Sequence, residues 1–483
     1  MVRSTILFDG ALPHAKRAER LARTEQNNRR IQQLRASYAT DACPIPTFLG
    51  TTSYAFLAPS LRETLAASPF ASRTRLVPGE ADDSCALLAK NIPRSIIFTS
   101  DTDLLLFDYQ SETLIVLFQD AESPSNFKAH SPSVIAKKFQ LQSLVPFAYA
   151  IQQRNLDGHA QLLLAAQGID VDSAPYVEFR GRYIAAVVDP VYLARHSSLP
   201  PEMQVLDVRI SEFVHQALLG DLEVSVYLPL LVEDPNQASA WNVAQEVRTV
   251  AHSILTPSST IHEYRRKAQH VSPQDINCYT AQNLQVPIKE TVERVTASVR
   301  WAESRAIDTQ LLWPLFALSL VLGELNTPPA VPLVMRVLNG DFDNSWTFVQ
   351  LTARLHAAIY SLRILKQTVA IWLAINENQN SALYESLSRL QKQMSSLPSI
   401  ADSFMVPGQA KRVRVEPDVL RELVEEIYTS VGVEVPVEQV SNKKKKRQAR
   451  EADRKKRKMD QRQQGAAKTP KSGNGFALLH NDS

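Results

Sequence analysis

Cysteine is scarce in this chain, and its scarcity removes two classes of protein at once. Only Cys43, Cys85 and Cys278 occur among 483 residues, far apart and in no Cys-x-x-Cys pair. They build neither a sequence-local zinc knuckle nor a disulfide scaffold, and the pattern suits a reducing compartment. Glycine is also sparse, 14 residues against 28 prolines, so connections are expected to be stiff. A long apolar run is missing too. The most apolar stretch, Leu311 to Leu325, contains Pro314 and Gly323 and reaches Glu324; it falls short of the roughly 20 residues that span a bilayer. A buried core helix is expected there, and no membrane partner. No positively charged leader precedes an apolar segment at the start, so no secretory signal is expected. The ten histidines form no His-Glu-x-x-His pattern, and no Gly-x-Ser-x-Gly elbow occurs, which argues against a zincin or an α/β-hydrolase.

The formal net charge of +3 is a sum of opposites. Residues 443–483 hold 14 Lys/Arg and 4 Asp/Glu, a balance of +10, which leaves 39 basic and 46 acidic residues, a balance of −7, for the rest. The body is mildly acidic and the tail strongly basic. Two clusters, Lys443 to Arg447 and Arg454 to Lys458, have the form of a bipartite nuclear import signal and would also attract phosphate. Apolar content nearly vanishes beyond Ser441, so a disordered basic tail is expected over 441–483.

The opening 120 residues alternate strand and helix signals. Thr5 to Phe8 reads as an apolar strand, Pro13 to Ala36 as a long polar helix, Ala58 to Ala67 as a short one. Arg73 to Val77 reads as a strand, Glu80 to Lys90 as a helix, and Ser95 to Thr99 and Thr113 to Phe118 as strands. That alternation indicates an α/β layered sheet. Ser131 to Ala150 and Asp157 to Gln167 look helical, and Tyr176 to Val188 reads as a hairpin turning at Gly181. From about 205 to 400 amphipathic helix dominates, and a last helix is expected from Asp418 to Ser430.

Carboxylates gather at the ends of these elements. Asp9 closes the first strand, Glu80, Asp82 and Asp83 open a helix, and Asp101 and Asp103 follow the strand Ser95 to Thr99. Each has an ordinary explanation alone: a turn, a favourable charge at a helix N-terminus, a surface loop. In open α/β sheets, however, ligands bind beyond the carboxyl ends of strands. Carboxylates from three such places suit Mg²⁺, a hard cation that takes oxygen ligands and few carboxylates per ion. Beside Asp9, Lys16, Arg20 and Arg23 fall at i, i+4 and i+7, one stripe of the long helix. They suit either a solvated helix face or a clamp on phosphate.

These segments resemble the flap-endonuclease/XPG nuclease family. Ile6-Leu-Phe-Asp9-Gly10 with Pro13, Lys16 and Arg23 is similar to its acidic strand and the helix after it. Val77-Pro-Gly-Glu80-Ala-Asp82-Asp-Ser-Cys85 is similar to its internal acidic motif, and Thr99-Ser-Asp101-Thr-Asp103 to its Asp-x-Asp strand. The resemblance implies Asp9, Glu80, Asp82, Asp101 and Asp103 as Mg²⁺ ligands, with Lys16 and Arg23 as catalytic cations on the scissile phosphate. The family's first acidic strand has no counterpart, and its Gly-x-Asp-Tyr segment is replaced by Leu144-Val-Pro-Phe-Ala-Tyr-Ala-Ile151. Val226-Tyr-Leu-Pro-Leu-Leu-Val-Glu-Asp-Pro235 with Ser239-Ala-Trp241 resembles the asteroid-type branch; by themselves Tyr227, Leu228, Leu230 and Trp241 read as core.

The expected architecture is therefore a PIN-like/XPG-like sheet with flanking helices over 1–150, lacking its first strand. A mostly α-helical region over 151–440 and the basic tail complete it. Two functions stay open: a nuclear, Mg²⁺-dependent, structure-specific nuclease, or a catalytically degenerate nucleic-acid-binding or scaffold protein. The expected polymer is DNA rather than RNA, with a nuclear import receptor as partner of the tail.

Overall fold

The computed structural model describes residues 4–13, 16–38, 55–77, 79–109, 112–123, 126–184, 200–220, 223–341, 343, 345–377, 381–404 and 415–436. The two basic clusters and the expected disorder of 441–483 lie outside these residues, as do Cys43 and the last part of the expected hairpin. Met1–Val433 makes one compact unit.

The first strand, β1 (Ile6–Phe8), pairs in parallel with β2 (Thr74–Leu76), Leu7 opposite Arg75. Between them lie α1 (Arg17–Ser37) and α2 (Leu57–Ala66). After β2, α3 (Ala81–Asn91) leads to β3 (Ile96–Thr99). This strand joins a second sheet, parallel to β4 (Leu114–Ser123), which runs antiparallel to the edge strand β5 (Asn126–His130). Side chains alternate along a strand, and β3 obeys that period: Ile97 and Thr99 are buried, Ile96 and Phe98 exposed. One face of this sheet thus covers a small core of Ala86, Ala89, Leu104, Phe107, Ile115 and Leu117.

Four helices follow: α4 (Pro132–Lys138), α5 (Val145–Gln153), α6 (His159–Gln167) and α7 (Ala174–Gly181). The last corrects the hairpin expected over Tyr176 to Val188. Tyr176 and Phe179 are both buried, three residues apart, which is one face of a helix rather than alternate faces of a strand. Pro175 stands in the first turn, where its missing N–H costs nothing.

The region after 205 is mainly helical, as its sequence pattern indicates, and it also holds a three-stranded sheet. Helix α8 (Val208–Leu219) leads to β6 (Val224–Tyr227), α9 (Gln245–Leu255), β7 (Thr260–Lys267) and β8 (His270–Asn277). Strand β6 is parallel to β7, and β7 and β8 form a hairpin closed at Lys267–His270, with Ala268 at φ 52°. An alanine in the left-handed region is unusual, so the turn carries no Asn-Gly or Gly signal. Charged residues inside β7 conceal it further. Arg248 and Glu263 are wholly buried and paired at 2.7 Å, and Arg266 pairs with buried Glu233 at 2.6 Å. Their remaining donors reach Trp241, Val243, Pro235, Gln237 and Ala268 carbonyls, the satisfaction that a buried charge requires.

Helices α10 (Gln285–Ser304), α11 (Thr309–Glu324), α12 (Val331–Asn339), α13 (Trp346–Ile375), α14 (Ala382–Gln393), α15 (Ile400–Ser403) and α16 (Pro417–Ser430) enclose the main core. The apolar run from Leu311 is α11, with Leu311 to Trp313 and Leu315 to Leu318 buried as expected. Among the described residues one helix, α13, is long and apolar enough to cross a membrane, but most of it lies inside this core. Tyr227, Leu228 and Trp241 are core residues, while Leu230 is half-buried.

The polar helix α1 is braced along its length by the later part of the chain. Arg17 donates to Gln216 at 3.2 Å, Arg20 pairs with Glu212 at 2.6 Å, Asn28 donates to the Gln269 carbonyl at 2.9 Å and Arg35 pairs with Asp234 at 3.0 Å. Arg20 also lies over the Tyr227 ring, 4.9 Å from its centroid.

Candidate metal and phosphate site

The short strand β1 ends on Asp9-Gly10, and α3 starts beside it. The Gly10 N–H donates to the Gly79 carbonyl at 2.7 Å, and Asp9 Oδ1 accepts from the Ala81 N–H at 2.7 Å. Asp9 therefore caps a helix 72 residues away in sequence, satisfying one of its free N-terminal donors. Glu80 stands at the N-cap position with no cap bond of its own side chain, and Asp82 and Asp83 occupy the first turn.

Strand β3 delivers the second pair of acids to the same place. Asp101 Oδ1 accepts from the Asp103 N–H at 2.9 Å, opening a short 3₁₀ turn, Thr102–Leu105. This turn replaces the extended Asp-x-Asp of the sequence reading, because an aspartate accepts readily from the backbone two residues on. Tyr183 Oη approaches Asp103 Oδ2 at 3.5 Å.

The acids sense one another across elements. Burial, then the charges of Asp101, Asp9 and Glu80, push the half-buried Asp82 carboxyl up to about 6, with Lys16 opposing. Asp103 is also raised, by burial and by Asp101, against Lys16 and the Tyr183 contact. Asp83 is raised by burial, again opposed by Lys16. Partial desolvation and like charges both disfavour ionisation, so the pattern describes half-buried carboxylates of which Asp82 and Asp103 also feel neighbouring acids. Nearby Cys85 is carried up to about 11 by burial, Asp82 and Asp9, which leaves it a thiol.

Lys16 is the cation within this group. It stands at the N-cap position of α1 and pairs with Glu80. Burial would lower its pKa, but Glu80, Glu19 and Asp83 outweigh that and raise it. Arg20 and Arg23, expected to share its stripe, turn to other partners. Arg20 is held by Glu212, and Arg23, 76% exposed, pairs with Glu19 one turn back. The structure thus couples Asp9, Glu80, Asp82, Asp101, Asp103 and Lys16 electrostatically, whereas Arg23 is engaged with Glu19 on its own helix. Two neighbours of this group, Glu19 and Tyr183, were not anticipated as part of the site. Glu19 lies at i+3 from Lys16, so helical spacing could have revealed it; Tyr183 comes from beyond α7, with no local signal.

The acids of the Val226 to Pro235 segment do other work. Glu233 accepts from Ser239 at 3.3 Å and pairs with Arg266, and Asp234 pairs with Arg35. Among the described residues, no three His, Cys, Asp or Glu side chains stand close enough to ligate one ion as they lie.

Residues 53–278 match a family model described as XPG domain containing. The matched span includes Glu80, Asp82, Asp101 and Asp103 and supports a place in the XPG/PIN-like nuclease superfamily; Asp9, Lys16 and Arg23 precede it. No curated protein and no solved structure matches the chain.

Proposed function

We propose that this XPG-type chain is a Mg²⁺-dependent, structure-specific nuclease acting on nucleic acid at the cluster of Asp9, Glu80, Asp82, Asp101 and Asp103. The observation that carries the proposal is Asp82, whose carboxyl is raised to about 6 by burial and by the charges of Asp101 and Asp9, which come from two other elements, and of Glu80 beside it. The donor set fits a hard cation, since it offers carboxylate oxygens only, and a cluster that protonates one member for want of positive charge gains from a divalent ion. When bound, Mg²⁺ would polarise the phosphoryl oxygens and lower the pKa of a water.

The chain's own residues supply the rest. Asp9, Glu80, Asp82, Asp101 and Asp103 would divide between two ions of a two-metal site, which requires Glu80 to exchange Lys16 and Asp9 to exchange the Ala81 N–H. Lys16, released from Glu80, keeps its charge and becomes a donor to a phosphate oxygen. Arg23, exposed beside Glu19, adds a second cation. We place the chain in the asteroid-type branch, which the Val226 to Trp241 segment resembles. The polymer proposed is DNA, and the basic clusters of the tail would both engage a nuclear import receptor and place the chain in the nucleus.

A second reading, a degenerate fold that binds nucleic acid without cutting it, is favoured by the same local partners. Lys16 on Glu80, the Ala81 N–H on Asp9 and the Asp103 N–H on Asp101 satisfy these acids with no ion. The two readings separate in one experiment: branched DNA incubated with the purified full chain in Mg²⁺, beside Asp101→Ala and Asp82→Asn. Turnover abolished by either substitution supports the nuclease. Binding that weakens with rising salt, without turnover, supports the scaffold, and absence of any nucleic-acid binding removes both.

A further inference from the structure

The sheet that carries Asp101 has a second face, and that face is aromatic. Phe98 on β3, Phe118 on β4 and Phe127 on β5 are 47%, 57% and 40% exposed. Phe98 lies 6.3 Å from Phe118 and 5.4 Å from Phe127 between ring centroids, the latter pair edge to face. Their exposure is not the fraying of a loose segment. Phe98 sits in regular parallel register opposite Val116, while Ile97, Ile115 and Leu117 of the same strands are buried on the other face. Each of three adjacent strands therefore contributes one ring to an open surface.

We propose that this surface is a stacking platform for the unpaired bases of single-stranded nucleic acid. The inference rests on the reading of the acidic cluster as a phosphodiester site and names the part of its substrate lying beside the cut. Three observations favour that occupant. First, position: Phe98 stands one residue before the end of β3, and Asp101 follows two residues beyond that end, so no more than roughly 11 Å of chain separates them, about three nucleotides at stacked rise. A strand whose bases lie on the rings would deliver its phosphate to the acids. Second, charge: β5, which carries Phe127 at the sheet edge, leads directly into α4, whose Lys137 and Lys138 are exposed and carry no ion pair among the described residues; Lys128, next to Phe127, falls on the opposite face of the strand. Third, area: three half-exposed phenyl rings offer on the order of 300 Å², well short of the about 800 Å² per partner of a standard protein interface. Bases need less, because every base presents a π-face to an aromatic ring and sequence does not matter.

The test uses the full chain in EDTA, so that it reads binding and not cleavage. Fluorescence anisotropy compares labelled oligothymidylate with a duplex of equal length for the wild type, Phe118→Ala/Phe127→Ala and Phe118→Trp/Phe127→Trp. Both rings are exposed, so unchanged thermal midpoints are expected. The alanine pair should weaken oligothymidylate binding about tenfold per ring while the duplex loses less than about threefold. The tryptophan pair should restore affinity, with indole fluorescence quenched on binding. Equal loss for both ligands, or none for the single strand, overturns the platform. So does a self-association in sedimentation that the alanine pair abolishes with oligothymidylate affinity intact, which would make the face a protein contact. If branched DNA is cut and the ring variants bind single strands normally, only the platform fails. If no cutting occurs but binding depends on the rings, only the nuclease fails.

Discussion

Asparagine at position 82 removes one charge from the acidic cluster with little change of shape, and the structure sets the sign and scale of the result. Burial and the charges of Asp101, Asp9 and Glu80 push the Asp82 carboxyl of the folded state up to about 6, above the ordinary aspartate range. In the unfolded chain it ionises near its ordinary value. Between these values the folded state binds the extra proton, so stability falls as pH rises through this window and stays lowered above about 6. Taken at face value, a shift of about two pH units corresponds to about 3 kcal/mol. Asp82 is only half-buried, and solvent screening reduces this to roughly 1–1.5 kcal/mol. Asp82→Asn should therefore be more stable than the wild type by about that amount at pH 7.5 and indistinguishable from it below pH 4. Urea midpoints at four pH values from 4 to 7.5 measure the difference. Mg²⁺ should stabilise the wild type at pH 7.5 more than the variant, and its affinity should rise with pH as Asp82 releases its proton. Equal midpoints at pH 7.5, or a less stable variant, would refute the crowding of these carboxylates.

Three other outcomes follow from the same structure. Lys16→Met withdraws the cation that opposes the shifts of Asp82, Asp83 and Asp103. It should raise those pKa values further in NMR titration and reduce the salt slope of nucleic-acid binding by about 1. Glu263→Gln leaves Arg248 wholly buried beside a neutral partner and should lower unfolding free energy by roughly 3–5 kcal/mol in urea titration; a loss under about 1 kcal/mol would mean the pair is not desolvated. Deleting residues 443–483 should shift a tagged protein toward the cytoplasm, and unchanged nuclear accumulation would show that the basic clusters are not the import signal.

The strand ends were legible because chain direction and a Gly or Asp break mark them. Asp9, Glu80, Asp82, Asp101 and Asp103 were picked from that logic, and their mutual electrostatics follow from it. The fate of the basic stripe was not legible. Helical spacing places Lys16, Arg20 and Arg23 on one side, but Glu212, which takes Arg20, lies 192 residues away. Strands β7 and β8 escaped for a related reason. Arg248, Glu263 and Arg266 read as solvent-facing in a sequence, and only their pairing makes burial tolerable. The helix at Ala174–Gly181 was missed because two aromatic residues and a nearby glycine mimic a hairpin when the spacing of three goes unweighed.

The bracing of α1 bears on how the molecule comes apart. The helix is about 32 Å long, and its bonds to Gln216, Glu212, Gln269 and Asp234 are spread from Arg17 to Arg35. Its own residues are too polar for it to stand alone, with only Asn28 and Ile31 buried. An isolated fragment of the first 150 residues would leave Arg20 and Arg35 without their acids and the Lys16 end of the helix without an anchor. Melting of the α8 to β8 region should therefore release α1, and with it Lys16, in the same cooperative step. Amide exchange along α1 would then track the opening of β8 rather than that of β3, although Lys16 touches the cluster that β3 helps to build.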